Sequence, residues 1–527
     1  MREQRIYPVG IQDFEKLRTN GCVYVDKTDL IYNLSRKYYV FLSRPRRFGK
    51  SLLSSTLKYY FQGRKDLFEG LAIEKLEQEW AQYPVLHFDL STAKNRDLPG
   101  IRSELDSQLR PYETQCGIQA EAGKLPGQRL TVLIKHLHEQ TGKKTVVIID
   151  EYDAPMLDVL HDDERIAEVR KIMQEFYAPL KACDADLRFV FITGITKFSQ
   201  LSIFSVINNL NNVTMLPEYS AICGITEEEL YTVFEEDIAM LAEEYECTPE
   251  EMRRKLKERY DGYHFSGRSA DIYNPFSLLK AFDRKELNDY WFESGTPTYL
   301  IRQMQRFKTD ILSLDNVSAT SPDFDQPTEG MTDALPLLFQ SGYLTIKNYN
   351  KALNQYTLGI PNNEVRVGLT ANLLPLYTYP STYRSSSFAM QFHEAIYYED
   401  LEKAMIAMRA YLAGIPYPEG GKEILQDMEK CEYYYETIFY LMFSFMNRHV
   451  QTQVKTSRGR ADMVMYTAKT IYVFELKINK SAEEALAQID EKGYMIPYTA
   501  DGRKLVKCGI SFSTETRTIE DWKIKEM

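Results

Sequence analysis

Short apolar runs and stretches of helical character alternate along the first part of the chain. Each run is apolar through its centre and ends in polar residues, which is typical of a buried strand in a parallel sheet. The runs lie at residues 38–43, 84–91, 144–151 and 187–197. The helical stretches lie at 52–61, at 101–140 with breaks near Gly117 and at 123–128, and at 166–183. Strands that alternate with helices predict a mostly parallel sheet with helices on both faces. Residues 23–28 are predicted to form a further short strand that leads into a helix.

The pattern changes at Thr226, because Thr226 and Glu229 have the spacing of a capping box that opens a helix. Acidic, helical sequence continues to Lys257, and two turn-rich aromatic segments follow it at 260–265 and 272–276. Further on, residues 335–360 read as a helix followed by a β-hairpin, which fits a winged-helix-like module. Such modules bind DNA or pack as lids on ATPase domains, and the sequence leaves both alternatives open.

From about Ser386 the sequence again combines helix and strand patterns. It predicts a helix at 431–445, strands at 460–466 and 470–478, and a helix that begins after the capping sequence 481–484. These changes of pattern predict three segments, which are residues 1–225, 226–385 and 386–527.

The strand at 38–43 is followed by a tight loop that ends in Gly-Lys-Ser and then by a helix. This is the context of a phosphate-binding loop, because backbone N–H groups and the positive end of the helix dipole hold a polyphosphate there. We expect Lys50 to reach the β- and γ-phosphates and the Ser51 hydroxyl to bind Mg²⁺. The other residues expected at the nucleotide are Arg46, Arg47, Phe48 and Gly49. The full motif has a glycine six residues before the lysine, where this chain has Arg44.

The strand at 144–151 ends in two adjacent carboxylates, Asp150 and Glu151. Asp150 is placed to hold Mg²⁺ through water, and Glu151 to polarise the water that attacks the γ-phosphate. Each feature alone also fits a core strand with a polar end, but the strand and the loop together favour a nucleotide site. Thr193, at the end of the next strand, would meet Lys50 and Asp150 at the carboxyl edge of the sheet. It is a candidate sensor of the γ-phosphate or a simple strand cap.

A second candidate site lies on the hairpin predicted within 460–478. The hairpin places Asp462 beside Glu475, so that two carboxylates can share a divalent metal ion. With a period of two, Lys477 lies on the same face as Glu475, where it would help to deprotonate a water molecule or stabilise the phosphate in the transition state. Glu436 on the preceding helix could add a metal ligand. A surface hairpin with alternating charges has the same pattern, and this alternative stays open.

Composition describes an ordinary globular protein of 527 residues with a net charge of −11, which argues mildly against a broad nucleic-acid-binding surface. Residues 447–480, however, contain seven Lys and Arg but only two acids. The resulting positive electrostatic potential would favour binding of a phosphodiester substrate. The seven cysteines form no Cys-x-x-Cys pair, which suits free thiols in a reducing compartment. No apolar run is long enough for a membrane span, and the first residues lack the apolar segment of a signal peptide. A cytoplasmic location without membrane attachment is therefore expected.

Several motifs together resemble a known bacterial family. They are Tyr24-Val25-Asp26-Lys27-Thr28, Ser43-Arg44-Pro45-Arg46-Arg47-Phe48-Gly49-Lys50-Ser51, Asp150-Glu151-Tyr152-Asp153, Gly194-Ile195-Thr196-Lys197-Phe198, Tyr260-Asp261-Gly262-Tyr263 and Tyr273-Asn274-Pro275. They are similar to motifs of the predicted AAA-ATPase-like proteins abundant in gut Bacteroidetes. Asp462, Glu475 and Lys477 resemble the PD-(D/E)XK nuclease domain usually fused to those proteins, although Ala461 replaces the proline before the aspartate. Gln488 and Tyr494 resemble the additional motif of RecB-like nucleases.

The resemblance covers nearly the whole chain and implies an α/β fold with three parts. These are a P-loop NTPase domain with an AAA-like parallel sheet (1–225), a helical or winged-helix-like lid (226–385), and a PD-(D/E)XK restriction-endonuclease-like α/β domain (386–527). It implies ATP and Mg²⁺ as cofactors, with Mn²⁺ as an alternative at the nuclease site, and DNA as a partner. Homo-oligomerisation stays open.

The expected function is ATP binding and hydrolysis joined to a metal-dependent DNA nuclease, which would serve in defence against mobile DNA or in its processing. The alternative is a nucleotide-switched binding or signalling protein whose nuclease fold is inactive. A purely structural protein would require both site patterns to be accidental.

Overall fold

A computed structural model describes residues 5–93, 97–119, 123–157, 159, 162–197, 210–294, 298–327, 331–378, 382–415, 428–445 and 449–527. The chain divides into two compact units. Unit 1 comprises Met1–Thr309 and Val317–Asn362, and unit 2 comprises Asp310–Asn316 and Asn363–Met527. Unit 1 thus contains the first predicted segment and most of the second, and the boundaries at 225/226 and 385/386 stay predictions.

Unit 1 contains sixteen of the described helices and ten of the described strands. The helices are α1 (Phe14–Thr19), α2 (Thr28–Ser35), α3 (Lys50–Phe61), α4 (Ile73–Leu76), α5 (Leu98–Gln115), α6 (Pro126–Thr141), α7 (Ala154–Leu157), α8 (Asp163–Tyr177), α9 (Pro179–Ala182), α10 (Glu227–Val233), α11 (Glu235–Glu244), α12 (Pro249–Tyr260), α13 (Pro275–Arg284), α14 (Thr298–Arg306), α15 (Ser321–Phe324) and α16 (Leu335–Gln340). The strands are β1 (Tyr39–Ser43), β2 (Val85–Asp89), β3 (Thr145–Asp150), β4 (Leu187–Gly194), β5 (Asn211–Asn212), β6 (Ile225–Thr226), β7 (Ile272–Tyr273), β8 (Val317–Ala319), β9 (Thr345–Asn350) and β10 (Gln355–Gly359).

The predicted parallel sheet is confirmed, with the strand order β2-β3-β4-β1-β5. Strands β1 and β3 are buried along their whole length, as expected for strands covered on both faces. Because β4 lies between β1 and β3, the register sets Thr193 beside Leu42, and Ile192 beside Ile149. The carboxyl ends of the three strands therefore lie at the same edge of the sheet. This is the edge where an open α/β sheet binds its ligands.

The strand expected at 23–28 is wrong, because the described backbone there joins no strand ladder. The polar side chains of this segment have other partners. The Asp26 carboxylate accepts hydrogen bonds from the Thr28 amide (2.9 Å) and hydroxyl (2.6 Å) and so opens helix α2. The Lys27 ammonium donates to the Glu229 carboxylate on α10 at 2.5 Å. The segment is held by this local cap and by the long-range pair of Lys27 with Glu229.

Several other predicted elements of unit 1 are present. Thr226 and Glu229 form the reciprocal capping box that opens α10. Helices α10 to α13 share one apolar cluster, which includes Phe234, Leu256 and Phe282. The helix and hairpin predicted within 335–360 are α16 with β9 and β10, and β8 pairs with β10 to complete a three-stranded antiparallel sheet.

Unit 2 is a second α/β unit. Its described helices are α17 (Asn363–Thr378), α18 (Thr382–Tyr397), α19 (Leu401–Ala413), α20 (Met428–Phe445) and α21 (Ala482–Lys492). Its strands are β11 (His449–Thr456), β12 (Gly459–Tyr466), β13 (Thr470–Ile478), β14 (Lys504–Ser513) and β15 (Thr518–Glu526), and they form one sheet in that order. Only β13 and β14 are parallel; the other neighbours are antiparallel.

Helices α20 and α21 cover opposite faces of this sheet. Phe474 on β13 packs against Phe443 of α20, with ring centroids 5.3 Å apart. Its neighbour Val473 belongs to the apolar cluster that contains Ile489 of α21. Successive strand residues point to opposite faces, so the two helices sandwich the sheet. Among the described residues, no helix is long and apolar enough to cross a bilayer.

Candidate functional site

The phosphate-loop motif forms a tight turn between β1 and α3. Lys50 is the first residue of α3, and the turn takes left-handed backbone conformations at Arg47 (φ 69°) and at the N-cap Gly49 (φ 88°). The Lys50 side chain is buried. Its ammonium lies 3.2 Å from the Pro45 carbonyl oxygen and 3.4 Å from a Glu151 carboxylate oxygen. The loop therefore holds a positive charge at the start of a helix, the arrangement that binds polyphosphates elsewhere.

Arg44 replaces the first glycine of the motif without requiring a left-handed backbone. Its side chain is 1% exposed and turns into the protein, where its guanidinium donates to three carbonyl oxygens. They belong to Ser43, Thr214 and Tyr219, at 2.9, 2.8 and 2.9 Å. The guanidinium also lies 4.2 Å from the centre of the Phe265 ring. The Arg44 side chain thus connects the start of the loop to the segment that follows β5.

The next loop residues are held by side chains from the second half of unit 1. Phe48 is buried and meets the rings of Tyr263 and Phe265 edge to face, with centroids 4.8 and 5.2 Å apart. The Arg47 guanidinium lies 3.8 Å from the centre of the Phe276 ring. The carbonyl oxygen of Arg46 accepts a hydrogen bond of 3.4 Å from the Trp291 indole. The side chains of Arg47 and Phe48 are therefore engaged with aromatic rings, and only the backbone groups of these residues are available to bind a phosphate.

The carboxylates after β3 lie beside the loop. The Ser51 side chain lies close enough to Asp150 to affect the pKa of that carboxyl, so the two residues expected at Mg²⁺ are neighbours. Burial raises the pKa of Asp150 to about 7, the Glu151 carboxylate adds to the rise, and Ser51 and Lys50 oppose it. Glu151 has a left-handed backbone, with φ 50°, and its side chain is 22% exposed beside Lys50. Such an outlier at a polar site is where function commonly lies.

Thr193 and Asp153 hold the strand ends together. The Thr193 hydroxyl donates to the Leu42 carbonyl oxygen at 2.7 Å, as a strand cap would. One Asp153 oxygen accepts from the Ile195 amide, the Thr196 amide and the Thr196 hydroxyl at 3.0, 2.7 and 2.7 Å. The sequence motif that contains Asp153 therefore ties β3 to the segment after β4. Phe198, the last residue of that segment's motif, lies outside the described residues.

A cavity of about 100 Å³ lies beside the phosphate loop and was not expected from the sequence. Gly49 and Lys27 border it, and most of the other side chains around it are apolar. They include Tyr24, Val25, Phe48, Ile225, Phe234 and Leu279. The segment 23–27, expected as a strand, thus forms one wall of the cavity.

In unit 2 three carboxylates meet between helix α20 and strand β12. They belong to Glu432, Glu436 and Asp462, and one oxygen from each lies within 4.8 Å of the others. The ladder between β12 and β13 ends at the pair Met463 and Phe474, and one Asp462 oxygen instead accepts the Leu476 amide at 2.8 Å. Asp462 is thereby fixed beside α20. We refer to these three residues as the carboxylate cluster.

Glu475 and Lys477 lie next to the cluster but outside it. The Lys477 ammonium donates to Glu475 at 2.9 Å, and the Gln488 amide of α21 donates to the same oxygen. The second Glu475 oxygen is buried and has no hydrogen-bond partner among the described residues. Tyr494 does not reach this group; its hydroxyl accepts the Arg460 amide at 3.3 Å.

Gln453 on β11 is a further polar residue at the cluster. Its amide donates to Glu436 at 2.6 Å, its own oxygen is buried without a partner among the described residues, and its backbone is left-handed, with φ 52°. The β11–β12 ladder pairs Thr452 with Met463 and Val454 with Ala461, but skips the position where Gln453 faces Asp462. A strained glutamine thus opposes the cluster aspartate.

The buried acids of unit 2 fit a divalent cation. Burial raises the pKa of Glu436, Asp462 and Glu475, and repulsion from Asp462 adds to the rise at Glu436 and Glu475. A cation in contact with these oxygens would favour their ionised forms, and hard divalent ions prefer carboxylate and amide oxygens. The unpartnered oxygens of Glu475 and Gln453 add to this donor set.

Sequence reasoning overlooked two residues near the cluster, for different reasons. Glu432 precedes Glu436 by one helical turn, so its i, i+4 spacing was a readable signal. Gln453 gave no signal, because its position depends on an interruption of the strand ladder.

Comparison with known proteins gives a family match in each unit. A family model described as Predicted AAA-ATPase matches residues 8–204, and one described as PD-(D/E)XK nuclease superfamily matches residues 430–522. An uncharacterized protein in the vnfD 5′ region of Azotobacter chroococcum mcd 1 is 33% identical over 527 residues, covering 99% of each chain.

Two solved structures align at a TM-score of 0.23, a value that carries no inference. One is the ORC2 protein of Aeropyrum pernix, 14% identical, with 70% of this chain and 97% of that chain covered. The other is Cdc6p of Pyrobaculum aerophilum, 11% identical, with 64% and 88% covered. From its full-length likeness to the Azotobacter protein and its two domain matches, the chain belongs to a family of predicted AAA-ATPases that carry a C-terminal PD-(D/E)XK nuclease-superfamily domain.

Proposed function

We propose that unit 1 binds and hydrolyses ATP with Mg²⁺. The observation that carries this proposal is the meeting of Lys50, Ser51, Asp150 and Glu151 at the carboxyl edge of the parallel sheet. The two oxygen contacts of the Lys50 ammonium, at 3.2 and 3.4 Å, are long enough for phosphate oxygens to replace them. Ser51 and Asp150 would hold the metal, which supplies charge neutralisation at the phosphates.

The remaining parts of unit 1 support the same proposal. Glu151 is partly exposed beside Lys50 and would orient the attacking water and accept its proton. The mostly apolar cavity beside Gly49 would receive the base, with stacking and apolar contact as the main attraction. The hydroxyl of Thr193 is already bonded to Leu42, which favours the strand-cap role over that of a γ-phosphate sensor.

The test is nucleotide binding by the full chain. ATP with Mg²⁺ at 100 times its Kd should stabilise unit 1 by about 2.7 kcal/mol, measured as a rise in Tm. Lys50→Ala should abolish this rise, and Lys58→Ala, at the other end of α3, should retain it. Glu151→Gln should bind ATP and fail to hydrolyse it. A wild-type protein with no Tm shift at millimolar ATP would contradict the assignment.

For unit 2 we propose metal-dependent cleavage of DNA, because the carboxylate cluster lies beside the Glu475–Lys477 pair. Glu436, Asp462 and Glu475 would hold Mg²⁺ or Mn²⁺, with Glu432 as an added ligand; the ion would supply Lewis-acid activation of the phosphate. Lys477 is oriented by its bond to Glu475 and would stabilise negative charge that develops on the phosphate. Gln488 would hold Glu475 in place.

The second test is cleavage of DNA by the full chain with Mg²⁺ or Mn²⁺, with and without ATP. Ala substitutions of Asp462, Glu475 and Lys477 should each remove cleavage, while Asp521→Ala on the distant strand β15 should not. Cleavage that survives the Asp462→Ala, Glu475→Ala double variant would refute the site. ATP binding without cleavage by the wild type would favour the alternative, a nucleotide-switched binding protein. A role in defence against mobile DNA, or in its processing, remains part of this proposal.

A further inference from the structure

The hairpin between β11 and β12 carries three exposed basic side chains, Lys455, Arg458 and Arg460. In the part of the chain that the structure describes, none of the three forms a salt bridge or a side-chain hydrogen bond. Several other cations of unit 2 have acidic partners. Arg503 pairs with Asp501, Lys504 with Glu526, Lys507 with Asp490 and Lys523 with Glu483. The hairpin thus places three exposed cations without an acidic partner within six residues of the chain.

Two of these cations face each other directly. The ladder pairs Lys455 with Arg460, so their side chains leave the same face of the hairpin. Like charges at directly opposed positions of an antiparallel pair destabilise it. Uncharged residues at these two positions would avoid this electrostatic repulsion. An anion bound between the two side chains would also remove it.

The pair lies next to the carboxylate cluster. Arg460 precedes Asp462 by two residues on β12, and Lys455 follows Gln453 by two residues on β11. Residues two apart on a strand share a face and are about 7 Å apart. The Arg460 guanidinium is close enough to Glu436 and Asp462 to oppose the rise that burial causes in their pKa. An anion held by the pair would thus lie beside the ligands of the metal.

We propose that Lys455 and Arg460 form an anchoring site for a phosphate of the DNA backbone, with Arg458 as an additional contact. The inference rests on the proposed nuclease function of unit 2. A nucleic-acid backbone fits because it presents successive phosphates along a line. One phosphate can meet the cation pair while its neighbour lies at the carboxylate cluster. Binding at this anchoring site would not depend on the base sequence of the DNA, because the site contacts a backbone phosphate and no base edge.

The test is the salt dependence of DNA affinity. A short fluorescent DNA duplex is titrated with the full chain in Ca²⁺, which replaces Mg²⁺ so that the duplex stays intact. Each phosphate contact contributes about 0.9 to the slope of log K against log salt. The pair holds one phosphate, so the Lys455→Gln, Arg460→Gln double variant should lose about 1 from that slope. The control is Lys504→Gln, Lys523→Gln, which removes the same charge from β14 and β15, away from the β11 edge of the sheet.

The outcomes separate this inference from the nuclease proposal. An unchanged slope in the double variant, or an equal loss in the control, would overturn the anchor even if the wild type cleaves DNA. A wild type that shows the expected slopes but never cleaves would refute the nuclease proposal and leave the anchor standing. The Tm of the DNA-free double variant at low salt should stay equal or rise, because a repulsion is removed. A fall in Tm would show that the pair stabilises the hairpin and would overturn the argument.

Discussion

Replacing Asp261 by Asn should make the stability of unit 1 less dependent on pH. Asp261 directly follows helix α12, and its side chain is 1% exposed. Neither carboxylate oxygen completes a hydrogen bond of good geometry among the described residues, and the Lys257 ammonium lies 4.0 Å away. Burial therefore raises the pKa of Asp261 to about 7, although the Gly262 amide and Lys257 oppose the rise.

The sign and size of the effect follow from this shift. A carboxyl with a raised pKa in the folded state adds most stability below its unfolded pKa of about 4, and this contribution is lost as the pH rises through about 7. Between pH 5 and pH 8 the loss is about 2.5 kcal/mol, at about 1.4 kcal/mol per unit of pKa. The change in Tm equals this free energy divided by the unfolding entropy, which scales with chain length. For the about 350 residues of unit 1, the Tm should fall by about 3–4 °C.

The assay is the Tm of the full chain from pH 5 to pH 8, compared between wild type and Asp261→Asn. The variant minus wild-type difference should rise by about 3–4 °C across this range, because asparagine does not titrate. Other titrating groups are common to both proteins and cancel in the difference. Asp283→Asn, an exposed aspartate on α13, should follow the wild type at every pH. Parallel curves for wild type and Asp261→Asn would refute the reasoning.

Two further predictions follow from the site geometry. Gly194→Ala should destabilise unit 1 by about 1–3 kcal/mol and lower its Tm, because the new Cβ would lie 2.3 Å from an Asp153 oxygen and 2.6 Å from the Tyr152 ring; an unchanged Tm would contradict the packing around Asp153. Gln453→Leu should weaken Mn²⁺ binding by about 10–100-fold in a direct titration, because Glu436 loses its hydrogen-bond donor. Gln451→Leu, an exposed position on the same strand, should bind Mn²⁺ as the wild type does, and equal affinities for all three would exclude Gln453 from the site.

The sequence predicted the elements whose character is set locally. The apolar run before Ser43 and the one before Asp150 are buried on both faces of the sheet, so composition alone identified them. The alignment of Lys50 with Asp150 also followed, because the carboxyl ends of parallel strands meet at one edge. Thr226 and Glu229 likewise formed the capping box that their spacing implied.

The features that escaped depend on partners remote in the chain. The segment 23–28 has a strand-like composition, but the Asp26 carboxylate opens α2, and Lys27 pairs with Glu229, 202 positions away. Glu432 and Asp462 come together only when α20 packs on the sheet of unit 2. The cavity beside Gly49 has walls from both halves of unit 1, and no local pattern encodes it.

The buried Arg44 changes how sequences of this kind should be compared. A scan that demands glycine at this position treats the residue as a defect, although here the left-handed turns occur at Arg47 and Gly49. Restoring the consensus by Arg44→Gly would leave the carbonyl oxygens of Ser43, Thr214 and Tyr219 without their donor and open a void beside Phe265. In a related sequence, an arginine at this position together with an aromatic residue equivalent to Phe265 would therefore identify a loop that a buried side chain stabilises. The pair would distinguish such a loop from one that has lost the ability to bind a nucleotide.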